Sequence, residues 1–357
     1  RSGAGVAGMM PRLFSVCATA QSLAAAQALE QAAGVEIVPA QVRARELLLL
    51  AETSREHLLR ILLGWSAWLG RAPDAQALSQ LGRMRQAWVQ VLYPQIDGFN
   101  PGGGALQPDR AALLALHEQL GQMLQGLLGL SPADWLELAS WSDLQAWMSA
   151  GSDSTRGLAQ QLCRQMLEEG LQGLGASSVA LLPELAADAL RDCFRAADAA
   201  EFVRAPLWQG QPQETGALQR QQAQPLLVAV RQQQGNGLLS RQLARLCELS
   251  QCLLRMAELI EDLQPSEPSR EPLQDAGEGL AQVEAARGRL VHWLRMEQGQ
   301  ILDYRILAPT EWNFHPQGPL VQGLKTLPAD QRLARLAQLL VDAIDPCVEA
   351  QLSISSV

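Results

Sequence analysis

One alanine-rich stretch limits the possible folds of this sequence more than any other feature. It lies near the start of the chain and reads SVCATAQSLAAAQALEQAAGV (residues 15–35). Ala, Leu, Gln and Glu are strong helix formers, Ser15 is a good N-cap residue, and Gly34 can end a helix in the left-handed conformation. A second stretch of the same character, VRARELLLLAETSREHLLRILLGWSAWL, follows at residues 42–69. Together these stretches predict a mostly α-helical fold.

Gly/Pro-rich segments divide the rest of the chain. FNPGGGALQPD (99–109) and LQPSEPSREPLQDAGEG (263–279) are typical of loops, and roughly residues 108–263 between them indicate further helices. LVHWLRMEQGQILDYRIL (290–307) then predicts a β-hairpin that turns at Gly299. We therefore predict a mostly α (α+β) fold with a small antiparallel β-hairpin near the C-terminal third, in a single domain over residues 1–357.

Composition and charge exclude several classes of protein. The 357 residues are 48% hydrophobic and 18% charged, which is typical of a globular chain. A net charge of −9 argues against a surface for nucleic acid or for an anionic membrane. No apolar run approaches the ~18–20 residues that a membrane-spanning helix needs. We expect a cytoplasmic protein with neither nucleic acid nor membrane as a partner.

Two of the six cysteines have a similar local setting at opposite ends of the chain. Cys17 follows Ser15 by two residues, and Cys347 follows Asp345 by two residues, with Pro346 between them. Ser and Asp are good N-caps and Pro suits the first helical position, so both cysteines are predicted in the first turn of a helix. The helix dipole there lowers the pKa of a thiol and favours the thiolate that binds metal.

The remaining cysteines, and both terminal ones taken singly, have a simpler interpretation as small packing residues. Two thiols alone do not make a metal site, and no pair of the four histidines has metal-ligand spacing. His57 and His292 are predicted to be hydrogen-bonded residues of the core. The four cysteines predicted as buried packing residues are Cys163, Cys193, Cys247 and Cys252.

Longer motifs around the terminal cysteines resemble those of the large subunit of nickel–iron hydrogenases. That family has R-x-C-G-x-C near its start and D-P-C-x-x-C-x-x-H at its end; here they read RLFSVC (12–17) and DPC (345–347). GLAQVEAARGRLVHW (279–293) is similar to the family's E-A-P-R-G-x-L-x-H segment, and ILDYRILAPTEWNF (301–314) to its Y-x-x-x-x-P-[ST]-x-W-N segment. The resemblance implies a hydrogenase large-subunit-like helical core. It covers roughly residues 7–70 and 277–353, and the middle, 108–263, diverges.

The chain departs from the family at half of its metal ligands. The family holds nickel and iron with four cysteines, but Phe14 and Ala350 stand at two of those positions, leaving Cys17 and Cys347. Phe and Ala offer no donor atoms, so a four-thiolate nickel site cannot form. Gln21 and Ser353 replace two histidines of the family motifs. The resemblance therefore implies no nickel, no hydrogen turnover and no enzyme activity.

The residues around the iron are retained. In the family, iron has two cyanides and one carbon monoxide, and cyanide nitrogen accepts hydrogen bonds from an arginine and from a Ser/Thr that follows proline. The resemblance implies that Cys17 and Cys347 bind metal. Cys17 matches a bridging ligand and Cys347 a nickel-terminal one, so Cys347 either turns to iron or serves another step such as handover. The cofactor-binding positions that match the family are Arg287, Thr310, Pro309, Glu56 and Asp345.

Three functions remain open from the sequence. The first is a non-catalytic maturation scaffold that holds or assembles the Fe(CN)2(CO) unit and passes it to the large subunit. Its implied partners are a small hydrogenase metallochaperone, iron-loading maturation proteins and the apo large subunit. The second is a metal-free assembly or interaction module, and the third a redox enzyme with altered metal ligation.

Overall fold

The structure is a computed structural model that describes residues 10, 13–14, 16–151, 157–269, 274–347 and 352–353. Helices predominate in these residues, and helix α2 continues through a π-helical turn, Ile61–Trp65, into the short helix α3. The helices are α1 (Ala18–Ala33), α2 (Pro39–Arg60), α3 (Ser66–Trp68), α4 (Ala75–Leu92), α5 (Arg110–Leu128), α6 (Pro132–Leu136), α7 (Trp141–Ser149), α8 (Leu158–Glu168), α9 (Ala187–Arg195), α10 (Ala199–Arg204), α11 (Ala217–Arg220), α12 (Pro225–Gln234), α13 (Leu238–Asp262), α14 (Pro309–Asn313), α15 (Pro319–Leu324) and α16 (Leu333–Ile344). The strands are β1 (Ala180–Leu181), β2 (Gln213–Glu214), β3 (Gly277–Ala285), β4 (Gly288–Glu297) and β5 (Gln300–Leu307).

The predicted β-hairpin is confirmed as the β4–β5 pair, which turns at Gly299 with a φ of 69°. Sequence reasoning missed a third strand, β3, which pairs with β4 in an antiparallel sheet of order β3-β4-β5. Its glycines explain its position. A Cβ on Gly279 would lie 1.8 Å from the carbonyl oxygen of Ala28, and one on Gly277 would lie 2.0 Å from that of Ala32. Strand β3 therefore packs directly against the backbone of α1.

Helix α1 is the alanine-rich helix that the sequence predicts, and it ends at Gly34 in the left-handed conformation. Its N-cap residue is Cys17, which makes no side-chain cap hydrogen bond. Ser15, the predicted cap, lies outside the described residues. The helix is buried along most of its length, so Cys17 begins a rigid element of the core.

The helical middle packs around α13, a 25-residue helix in contact with α2, α5 and α6. Its leucines belong to the largest apolar cluster of the described residues. A two-residue parallel pairing of β1 with β2, which the sequence did not indicate, interrupts the helices. Within the described ranges, no helix is both long and apolar enough to cross a membrane.

Helix α16 leads the chain back to the start of α1. Leu336, Leu340 and Ile344 are buried on one of its faces. The prediction that Asp345 caps a following helix is wrong: Asp345 ends α16 in the left-handed conformation, with a φ of 63°, and its N–H donates to the carbonyl oxygen of Val341. Cys347 therefore follows the C-terminal end of a helix, and residues 348–351 lie outside the described part of the chain.

Candidate metal-binding site

The two terminal cysteines meet in the folded chain. The Sγ atoms of Cys17 and Cys347 are 3.7 Å apart, although 330 residues separate them in sequence. Two thiolates on one metal ion, with metal–sulfur bonds of about 2.3 Å and angles near the tetrahedral value, have sulfur atoms about 3.5–3.8 Å apart. The spacing of the two thiols therefore suits joint ligation of a single ion.

Arg287 lies against this pair. Its Nη1 is 3.8 Å from Cys17 Sγ and 3.2 Å from an oxygen of Glu56, and its Nε is 3.5 Å from Asp345 Oδ1. The residue occupies the tight turn between β3 and β4, where a side chain on Gly288 would meet Thr215. The structure thus brings three of the predicted cofactor-binding residues, Arg287, Glu56 and Asp345, to the two thiols.

Asp345 is a buried carboxylate among three arginines. Arg60 Nη2 lies 2.5 Å from its Oδ1, and Arg245 Nη2 lies 3.9 Å from its Oδ2. Burial raises the pKa of Asp345, but Arg287, Arg245 and Arg60 outweigh burial and leave that pKa below its ordinary value. This charged position explains why the Asp345 side chain is not a helix N-cap: its carboxylate faces guanidinium groups instead of backbone N–H groups.

The thiols differ in their affinity for a proton. The hydrogen bond with Cys347 and burial raise the pKa of Cys17. The hydrogen bond from Cys17 lowers the pKa of Cys347 to about 7 against burial, with help from Arg287 and the Thr310 hydroxyl. The pair therefore loses its first proton around neutral pH, from Cys347, and retains the second proton well above it. We predicted from the sequence that a helix dipole lowers the pKa of Cys347. The dipole is not the cause of the low pKa, since no helix begins at Asp345.

Thr310 and Pro309 lie at the start of α14. Pro309 is buried at the first helical position, where its missing N–H has no consequence. The Thr310 hydroxyl is buried and makes no hydrogen bond of normal geometry with the described residues. It nevertheless lies close enough to Cys347 to help lower the pKa of that thiol.

Glu52 is a part of the site that sequence reasoning missed. Its carboxylate accepts hydrogen bonds from Thr19 N at 2.7 Å and Ala20 N at 2.9 Å, so a side chain of α2 caps the first turn of α1 beside Cys17. Burial raises the pKa of Glu52 despite these bonds. Glu52 lies four residues before Glu56 on the same helical face, and this spacing is the sequence signal from which its position near the site could have been predicted.

His57 lies beside the site but is not a thiol partner. Its Nε2 is 2.6 Å from Glu248 Oε2, and burial lowers the pKa of the imidazole. Its Nδ1 is buried and makes no hydrogen bond with the described residues. His57 lines a cavity of about 30 Å³ together with Arg245, Arg287 and Asp345.

His292 is a hydrogen-bonded core histidine, as predicted. Its Nε2 lies 2.8 Å from Gln21 Oε1 and its Nδ1 lies 2.7 Å from the Tyr304 hydroxyl. Burial lowers the pKa of His292 to about 3, so it is neutral. Gln21, which stands where the family has a histidine, therefore serves as a hydrogen-bond acceptor for another histidine.

At two positions where the family has a cysteine ligand this chain has another residue, and the structure describes one of the two. Phe14 packs against the buried cluster of Met10, Ala25 and Ala26 and has no donor atom. Ala350 lies outside the described residues, and Ser353 is exposed. In the described part of the chain, no set of three or more His, Cys, Asp or Glu side chains is placed to hold a metal ion. The thiol pair would therefore supply two ligands, and the remaining ones would come with the metal.

This chain is similar to two kinds of known protein, hydrogenases and proteins named for hydrogenase expression and formation. Residues 185–348 match the family described as nickel-dependent hydrogenase. The hydrogenase expression/formation protein HoxV of Cupriavidus necator is 32% identical over 98% of this chain and 87% of its own length. HupK of Bradyrhizobium diazoefficiens, also named a hydrogenase expression/formation protein, is 32% identical over 95% of this chain and 84% of its own.

Solved hydrogenases have the same fold. The Ni-Fe-Se hydrogenase of D. vulgaris Hildenborough superposes with a TM-score of 0.68 at 16% identity, covering 97% of this chain and 89% of that one. An NAD+-reducing [NiFe]-hydrogenase superposes with a TM-score of 0.64 at 18% identity, covering 97% and 88%. The chain belongs to the nickel-dependent hydrogenase large-subunit family and, within it, to the group of expression/formation proteins that includes HoxV and HupK.

Proposed function

We propose that this protein is a hydrogenase maturation scaffold. It holds the Fe(CN)2(CO) unit through Cys17 and Cys347 and passes the unit on to the large subunit. The names of the relatives, hydrogenase expression/formation proteins, support a role in maturation. The single observation that supports the iron role is the contact of the two thiols at 3.7 Å, with the Arg287 guanidinium 3.8 Å from one of them.

The donors around the thiols suit this cargo. A bound cyanide nitrogen is only an acceptor, so its pocket must offer donors. Arg287 Nε is buried and makes no hydrogen bond of normal geometry with the described residues, although it lies 3.5 Å from a carboxylate oxygen, and the Thr310 hydroxyl is buried close to Cys347. Unused buried donors are costly, and an anionic acceptor removes that cost.

The protonation of the pair suits reversible binding. Cys347 is about half ionised at pH 7 and predominantly a thiolate above it, so above pH 7 binding of the iron unit displaces little more than the one proton that the pair retains. Two protein ligands make fewer bonds to break on release than the four cysteines of the enzymes. This favours a carrier that gives up its cargo.

The apolar setting of Phe14 argues against a nickel ion at this site, since phenylalanine offers no ligand atom where the enzymes have a cysteine. The protein partners in this proposal are those that supply and receive the iron unit: a small metallochaperone, the iron-loading maturation proteins and the apo large subunit.

Infrared spectroscopy tests the proposal. Protein co-expressed with the hydrogenase maturation proteins and purified without oxygen should show cyanide and carbonyl stretches, about one iron per chain and no nickel. Iron-free protein that lacks these bands but still binds the apo large subunit would identify a metal-free assembly module. Hydrogen-dependent reduction of a dye would identify a redox enzyme.

A further inference from the structure

A large groove opens beside the thiol site. It has a volume of about 830 Å³ and lies between the N-terminal end of α1, one face of α4 and the loop at residues 93–100. Ala18 and Thr19, the two residues that follow Cys17, form part of its wall. A molecule in this groove therefore lies within one or two residues of a thiol of the site.

The charge of the groove is opposite to that of the protein. Arg55, Arg83 and Arg85 line it, and none of the described lining residues is acidic, whereas the whole chain has a net charge of −9. Arg55 also pairs with Glu56, which in turn contacts Arg287 of the thiol site. The groove offers a positive field to an acidic ligand, and one of its arginines is connected to the site through a single carboxylate.

The groove also has apolar parts. Val89 and Phe99 line its wall, and Ile96 lies in its loop with 65% of its surface exposed. The φ of Ile96 is 56°, a left-handed conformation that strains the backbone of a β-branched residue. The chain thus keeps an apolar side chain exposed on a strained backbone at this place.

The N-terminal end of α1 is not the source of the anion preference. The N–H groups of Thr19 and Ala20 already donate to Glu52, so they are not available to a ligand. The arginines supply the charge instead. An 830 Å³ groove with apolar walls is also far larger than a small anion such as phosphate needs, which favours a peptide segment.

We propose that this groove docks an acidic segment, with one apolar side chain among its carboxylates, of the small metallochaperone that exchanges the iron unit with this chain. The inference rests on the proposed function, because it assumes that a second protein approaches the thiols. Docking places the partner beside Cys17, and the carboxylates of the segment pair with Arg83 and Arg85. The apolar side chain packs against Ile96 and Phe99.

Two variants on α4 test the docking surface by different means. Gly82 lines the groove inside a helix with nothing within 4 Å of a Cβ built on it, so Gly82→Trp should place a large side chain at the groove with no clash at its first carbon. Gly126→Trp is the matched control, since Gly126 is a similarly open glycine inside α5 and does not line the groove. Arg83→Glu reverses an exposed charge, and Arg204→Glu on α10 is its control.

The probe is the purified small metallochaperone of the same maturation system, and its dissociation constant is measured by calorimetry. We expect Gly82→Trp and Arg83→Glu to weaken binding at least 10-fold and both controls to stay within 2-fold. Raising the salt from 50 to 200 mM should weaken wild-type binding more than binding by Arg83→Glu. Unchanged affinity in either groove variant, with an unchanged unfolding temperature, overturns the inference.

The outcome is separable from that of the proposed function. If wild-type protein shows the cyanide and carbonyl bands while the groove variants bind normally, only the groove assignment fails. If wild-type protein shows neither iron nor bands, the iron role fails, whatever the groove variants do.

Discussion

The thiols of the helical middle differ in pKa from one of the thiols at the chain ends, because burial dominates in the middle and neighbouring groups act at the ends. Cys163 and Cys247 are buried in the largest apolar cluster, and burial raises the pKa of each to about 12. Cys347 is half-buried, and burial alone would raise its pKa too, yet the Cys17 thiol and Arg287 lower it to about 7. A buried thiolate therefore requires a donor thiol and a cation, and the chain provides both at its two ends.

The largest expected difference between the two settings is in chemical reactivity. In metal-free protein at pH 7.5, iodoacetamide should alkylate Cys347 about 100-fold or more faster than Cys163, because thiolate content outweighs the lower nucleophilicity of a low-pKa thiol. The rate at Cys347 should reach half of its maximum near pH 7, since the thiolate predominates above the pKa. Mass spectrometry of quenched digests measures both rates. Equal rates at the two cysteines would remove the distinction on which the site rests.

Arg287 should be the residue that keeps the pKa of Cys347 below that of a thiol in the packed core. Arg287→Ala removes a cation near Cys17, Glu56 and Asp345, so the pH midpoint for alkylation of Cys347 should move upward. Leaving buried carboxylates without this partner should also cost about 3–5 kcal/mol of unfolding free energy in urea titrations.

The matched control for Arg287 is its neighbour Arg289, which is equally buried but pairs with Glu284 and Gln282 away from the thiols. Arg289→Ala should destabilise the protein without moving the alkylation midpoint of Cys347. If the two variants shift that midpoint equally, the low pKa of Cys347 does not come from Arg287.

The smallest difference concerns packing. Cys163→Ala leaves a small hole in the fully buried apolar core and should cost about 1 kcal/mol, whereas Cys347→Ala should cost less because it removes a buried thiolate and a half-buried side chain. Urea unfolding of the two metal-free variants provides the comparison. A larger loss at Cys347 would indicate that this residue is primarily a packing residue.

Local patterns in the sequence predicted much of the fold. The alanine-rich run and Gly34 gave α1, and Gly299 between two β-rich arms gave the hairpin. Strand β3 was missed because its position depends on Gly277 and Gly279 touching the backbone of α1, a contact between distant segments. The role of Asp345 was misassigned because Asp-Pro is typical of a helix start, whereas the three arginines around this carboxylate come from other elements.

The site could be predicted only in part, for the same reason. The two thiols and Arg287 could be predicted because they belong to short sequence motifs that resemble those of the family. The structure brings these three residues together. Glu52 was not in any motif, and its cap on Thr19 and Ala20 appears only once α1 and α2 are packed. The arginine groove was not foreseen either, because it combines the start of α1 with α4.

The most direct measurement of the central claim is the infrared spectrum of single-cysteine variants co-expressed with the maturation proteins and purified without oxygen. The account predicts that Cys17→Ala and Cys347→Ala each lose the cyanide and carbonyl bands and the bound iron, while Cys163→Ala retains both at wild-type intensity. Full bands in either end-cysteine variant, or bands lost equally in Cys163→Ala, would contradict the assignment of Cys17 and Cys347 as the ligands of the iron unit.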